Sequence, residues 1–133
     1  MTARCAMRFN EPDVHKPLAS AACVARAGNR VAMEEDGGFI ENVKTGDRME
    51  LSIENNTFVF DIMLDNGDLQ VVTLDSGAGC NVWPRGVAAG GGQLMQKPPG
   101  IKMIAANGSE IQNFGQRLVG FRGVEASSFQ RPR

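Results

Sequence analysis

The strongest constraint on the fold lies between residues 57 and 74. Residues 57–64 place Phe58, Phe60 and Ile62 on one face of an extended segment, and residues 69–74 follow as a second apolar run. Asn66-Gly67 between them is a preferred two-residue hairpin turn. A period of two is what a pleated strand with one buried face requires. A hairpin of this kind must bury its apolar face against more sheet or against helix, because two strands alone are marginal in water.

The same pattern of short apolar runs separated by turn residues recurs along the 133 residues. Strands are expected over 7–14, with Pro12 marking an end or an edge, and over 30–33, 39–43 and 48–53. Asp36-Gly37-Gly38, Thr45-Gly46 and Asn55-Asn56 read as the turns between them. A second hairpin is expected from 101–105 and 110–121 around Asn107-Gly108. One short helix is expected over 19–27, where alanine is frequent and Leu18, Ala22 and Val24 or Ala25 stand near helical spacing; Gly28-Asn29 ends it. Residues 86–100, with Ala88-Ala89-Gly90-Gly91-Gly92 and Lys97-Pro98-Pro99-Gly100, read as a loop, and 124–133 as a frayed tail. Eight or nine short strands and one helix give an all-β fold, a small barrel or sandwich, as a single domain over 1–133.

Composition narrows the function. Hydrophobic residues make up 42% and charged residues 22%, values of a globular domain with one core. The net charge of -1 gives no reason to expect nucleic acid or an anionic membrane as partner. No apolar run approaches the ~20 residues of a membrane span, and residues 1–10 hold no apolar signal core. Cys5, Cys23 and Cys80 are odd in number and form no C-x-x-C pair, so a reducing, intracellular (cytoplasmic) compartment is expected rather than a disulfide framework.

The chemistry-bearing candidate is Asp75. An apolar run delivers it into Ser76-Gly77-Ala78, where Gly77 allows a sharp turn and Ser76 can hydrogen-bond locally or to a second chain. A carboxylate at the end of a buried strand is costly unless it is hydrogen-bonded or used. The other signals read as structure. His15, beside Lys16-Pro17, is a surface residue, and no spacing joins it to the cysteines as a zinc site. Cys80 is a small thiol near the turn, Lys44-Thr45-Gly46 is a turn, and Gly90-Gly91-Gly92 lacks the Gly-Lys-Ser/Thr of a phosphate loop. Trp83 reads equally as core or as a cleft wall.

The segment Leu74-Asp75-Ser76-Gly77-Ala78-Gly79-Cys80-Asn81-Val82-Trp83-Pro84 resembles the active-site strand and turn of the retropepsin-like aspartic proteases of retroviruses and retrotransposons. Residues 101–111 resemble that family's flap. Residues 9–20 resemble the "apolar strand, Asp-Val, Lys, Pro-Leu-x-Ser" segment of retrotransposon proteases, with Leu18-Ala19-Ser20 standing where other members have apolar-apolar-Gly. The resemblance covers about residues 7–123, but in swapped order: 7–64 resembles the family's C-terminal half and 69–123 its N-terminal half. It implies a small closed β-barrel of the retropepsin type with one short helix, either circularly permuted or cut from two tandem copies. A permutant makes one geometric demand: residues 118–122 and 3–9 must be neighbours, with the chain termini close.

The resemblance further implies an aspartic endopeptidase of retroelement origin acting on extended peptide or polyprotein. Asp75 would be the catalytic carboxylate, Ser76 would brace the two active-site loops, and Ala78 would keep space at the cleft floor. Ala105, Ala106, Asn107, Gly108 and Ser109 would form the flap tip over the substrate. No cofactor or metal is implied. Since the chain carries one Asp-Ser-Gly and the chemistry needs two carboxylates, a homodimer is expected. The alternative is a non-catalytic dimerisation or peptide-binding module of the same fold, a pseudoenzyme or polyprotein fragment. The swapped order and Leu18-Ala19-Ser20 favour it.

Overall fold

A computed structural model describes residues 4–12, 14–84, 94–95, 103–104, 110–111 and 113–124. The central hairpin forms as its sequence dictates. β6 (Thr57–Leu64) and β7 (Leu69–Asp75) pair antiparallel, with Phe60 opposite Val72 and Phe58 opposite Leu74. Alternation sends Phe60, Ile62 and Leu64 of β6 and Val72 and Leu74 of β7 into the core. Each such side chain stabilises the fold by about 1.5–3 kcal/mol when fully buried.

β6 is the hub of the sheet. β7 covers one of its edges, while the other is shared: β5 (Arg48–Glu54) takes residues 57–59 and β11 (Asn113–Gly123) takes residues 62–64. One strand cannot serve two neighbours on a single edge without the sheet bending away, and the sheet curls into a half-barrel. From β5 the chain order β5-β4-β3 forms a meander of β3 (Asn29–Glu34), β4 (Gly37–Asn42) and β5. Its β5–β6 turn is built on Asn55 and Asn56, at φ 51° and 62°; asparagine tolerates this left-handed geometry, which suits the twist of a hairpin. Across the meander Arg30, Glu41 and Arg48 stand in register and pair through Glu41, and the Arg48 guanidinium lies 3.8 Å from the centre of the Phe39 ring.

On the far side of β11 lies β1 (Arg4–Pro12), antiparallel from Arg4 opposite Arg122 to Phe9 opposite Arg117. The two segments expected as neighbours are therefore paired strands, and the described ends of the chain meet. The alternation puts Cys5, Met7 and Phe9 on the core side with Val119 and Phe121. It also turns Glu11 and Arg117 inward. They meet there as a bidentate pair, with guanidinium nitrogens 3.1–3.3 Å from the carboxylate oxygens and Glu11 1% exposed. Trp83 is fully buried, edge-on to Phe9 at 5.2 Å between ring centres, so it is core.

Several boundaries differ from the sequence expectation. The helix α1 spans Ala21–Arg26, because residues 18–20 are drawn into β2 (Leu18–Ser20), a strand parallel to β7. Ser20 then caps the helix, its Oγ accepting the Cys23 N–H at 3.2 Å, and Gly28, at φ 101°, ends it. Gly37 and Gly38 begin β4 instead of forming the turn, which falls on Glu35 and Asp36. Within the expected loop, β8 (Leu94–Met95) pairs with β11. β9 (Met103–Ile104) and β10 (Glu110–Ile111) pair antiparallel, as expected of a hairpin around Asn107-Gly108; the tip itself lies outside the described residues. So does the expected tail beyond Val124.

Candidate functional site around the Asp75 turn

The site grows from the end of β7. Val72 and Leu74 point into the core, so Val71, Thr73 and Asp75 share the opposite face. Asp75 is half-buried, and its Oδ1 accepts the Gly77 N–H at 2.8 Å. This local bond bends the chain back on itself and fixes the carboxylate's orientation. A Cβ at Gly77 would stand 3.4 Å from Asp75 Oδ1, so the carboxylate packs closely over this residue. Ser76 is exposed.

A second strand locks this turn from below. β2 runs parallel to β7 with Ser20 opposite Asp75. Ser20 is fully buried, and all its groups are used: Oγ donates to the Ala78 carbonyl at 2.7 Å while accepting from Cys23, and its N–H donates to Asn81 Oδ1 at 2.7 Å. Asn81 Nδ2 in turn donates to the Arg8 carbonyl at 3.1 Å, and the Asn81 carbonyl accepts the Asn10 N–H at 2.8 Å. Val82 then threads between two strands, bridging parallel to Asn10 and antiparallel to Leu18. The segment after Asp75 is thus held on both sides by backbone ladders, in a packed polar network whose members satisfy one another.

Sequence reasoning expected Asp75, Ser76, Gly77 and Ala78 at this turn but did not anticipate the bonds that Ser20, Asn81 and Asn10 make to it. The one available signal was a serine where the family pattern has glycine, a small residue with a hydroxyl at a crowded place. The expected flap-tip residues Ala105, Ala106, Asn107, Gly108 and Ser109 lie outside the described residues. His15 is exposed, as expected, yet it also lines a cleft of about 680 Å³ with Lys16, Pro17, Val71 and Thr73. Because Val71 and Thr73 share the Asp75 face of β7, this cleft flanks the carboxylate's own side of the sheet. Cys80 is half-buried; burial, reinforced by Cys23, pushes its thiol up, against a hydrogen bond from Asn10 that lowers it. Among the described residues no three His, Cys, Asp or Glu side chains converge as metal ligands, and no helix is long and apolar enough to cross a membrane. No known protein family, curated protein or solved structure matches the chain.

Proposed function

We propose that the chain is an aspartic endopeptidase domain of retroelement origin, a curled β-sheet of the retropepsin type that works as a homodimer on extended peptide. The observation that carries this reading is the placement of Asp75. It sits half-buried at the end of a core strand, aimed by Gly77 and backed by a parallel strand through Ser20 and Asn81. A carboxylate held in this way needs little reorganisation before reacting.

One such group cannot hydrolyse a peptide. The reaction needs a protonated carboxyl to polarise the scissile carbonyl and an ionised one to take a proton from the attacking water. Two carboxylates a few ångströms apart share a single proton because both cannot ionise together. The chain holds one Asp-Ser-Gly, so the second Asp75 comes from an identical chain across a two-fold axis. Substrate lies extended along β7 beside Asp75, held by main-chain hydrogen bonds.

The test is Asp75→Asn. Cleavage of a peptide library at mildly acid pH is expected in the parent chain and lost in the variant, with circular dichroism and dimer mass unchanged. Cleavage that persists in the variant refutes the reading. The rival, a non-catalytic peptide-binding or dimerisation module, is favoured by one feature: a bonded, buried Ser20 at the family's glycine position. It is distinguished by peptide binding without cleavage in the parent chain.

A further inference from the structure

Cys23 lies against the bend that follows Asp75, and Cys80 belongs to that bend. Cys23, in the first turn of α1, directs its Sγ at the Gly79 carbonyl oxygen, 3.5 Å away and one peptide unit from Cys80. The Cys23 sulfur therefore lies against the peptide group that leads into Cys80. Arg26 supplies a third element. Its Nη2 donates to Cys23 Sγ at 3.4 Å, placing positive charge where an attacking sulfur carries negative charge. Nothing lies within 4 Å of where a Gly79 Cβ would stand, so the chain between the Ala78 and Asn81 anchors is uncrowded on that side. Both thiols are half-buried and free.

We infer that Cys23 and Cys80 form a thiol–disulfide exchange site, in which Cys23 attacks a small disulfide such as oxidised glutathione and Cys80 resolves the adduct. In the first step the Cys23 sulfur bonds to one glutathione sulfur, and the S–S bond breaks to release the other as thiolate. In the second step Cys80 attacks Cys23 Sγ, forming the Cys23–Cys80 bond and expelling the remaining glutathione. The two cysteines are oxidised by two electrons, and one disulfide is reduced to two thiols. The protons lost by the cysteines are taken up through water by the two released thiolates. The cross-link ties the start of α1 to the turn that carries Asp75. It does not depend on whether that turn is catalytic.

Cys5, Cys23 and Cys80 fall on three separate tryptic peptides, because Arg4, Arg8, Arg26, Arg48 and Arg85 separate them. The folded chain is treated with oxidised glutathione, then alkylated and mapped without reduction. Two of its three thiols should disappear, with the 23–80 linked peptide as the main product and an increase in Tm on the order of 10 °C, the expectation for closing so long a loop. Cys80→Ser should stop the reaction at a glutathione adduct on Cys23. Arg26→Gln should slow the first step several-fold while leaving the unreacted chain's Tm unchanged. A linked peptide containing Cys5, an adduct on Cys23 that persists with Cys80 intact, or an undiminished thiol count overturns the inference.

Discussion

Two buried carboxylates respond to burial in different ways. Glu11 is turned inward opposite Arg117, and its charge is met by a guanidinium fork. Arg117→Ala leaves that charge buried and should cost about 3–5 kcal/mol in urea unfolding. Glu11→Gln keeps the shape, loses only the charge, and should cost clearly less. Asp61 is 4% exposed on β6, and burial raises its carboxyl above the ordinary 3.8. A raised folded pKa means the folded chain binds the proton more tightly than the unfolded chain. Its contribution is therefore fully present below 3.8 and lost as pH rises through the folded value. Asp61→Asn removes that loss and should flatten this limb of a Tm-against-pH curve. At pH 7 it should raise Tm by on the order of 2–3 °C. At this scale the sequence was partly legible. Asp75 and Gly77 could be read because their bond is local. Ser20, Asn81 and Arg8 could not, because their bonds join positions 58 to 73 residues apart, and no local pattern encodes such partners.

At the scale of elements, strand identity followed from alternation and strand limits followed from neighbours. Residues 57–64 were legible to the residue, because Phe58, Phe60 and Ile62 carry the period and asparagine turns bound both ends. The start of α1 was not: helical spacing includes Ala19 and Ser20, but the open edge of β7 captures them as β2. Tertiary pairing overrides a weak propensity. Gly37-Gly38 misled in the same way. The pair reads as a turn, yet Gly38 is required inside β4 because the Ala32 carbonyl lies where its Cβ would be. Gly38→Ala must push β3 away from β4. The expected cost is about 2–3 kcal/mol in urea unfolding. Faster amide exchange should appear along Asn29–Glu34 while β6 and β7 keep their protection, since β3 is the end of the meander. Equal protection loss in all strands would show that the meander and the half-barrel unfold as one unit.

The whole molecule is organised by a contact between its two described ends. β1 and β11 pair over most of their length, yet Arg4 and its partner Arg122 are separated by nearly the whole sequence. The resemblance made this adjacency legible, since it followed from the swapped order of two halves. A curled sheet was expected, but as a closed barrel; the half-barrel observed arises from two strands sharing one edge of β6. Closing so long a loop is entropically costly and is needed before the β1–β11 ladder can form. A rearranged chain that runs from Gly67 to Val124, through a short Gly/Ser linker, and then from Arg4 to Asn66 turns this pairing into a hairpin. Its new ends fall in the exposed Asp65–Asp68 turn. It should keep the near-ultraviolet circular dichroism of the parent and stay within a few degrees of its Tm, because the native contacts are unchanged. Its refolding should be faster by on the order of tenfold, as the most distant pairing becomes local while the β6–β7 closure becomes distant. The two changes do not cancel if β1–β11 limits folding, since its ladder is the longer of the two. Slower refolding with the fold intact would instead place the β6–β7 hairpin in the rate-limiting step, and the apolar run that most constrains the sequence would then also set the speed at which the chain folds.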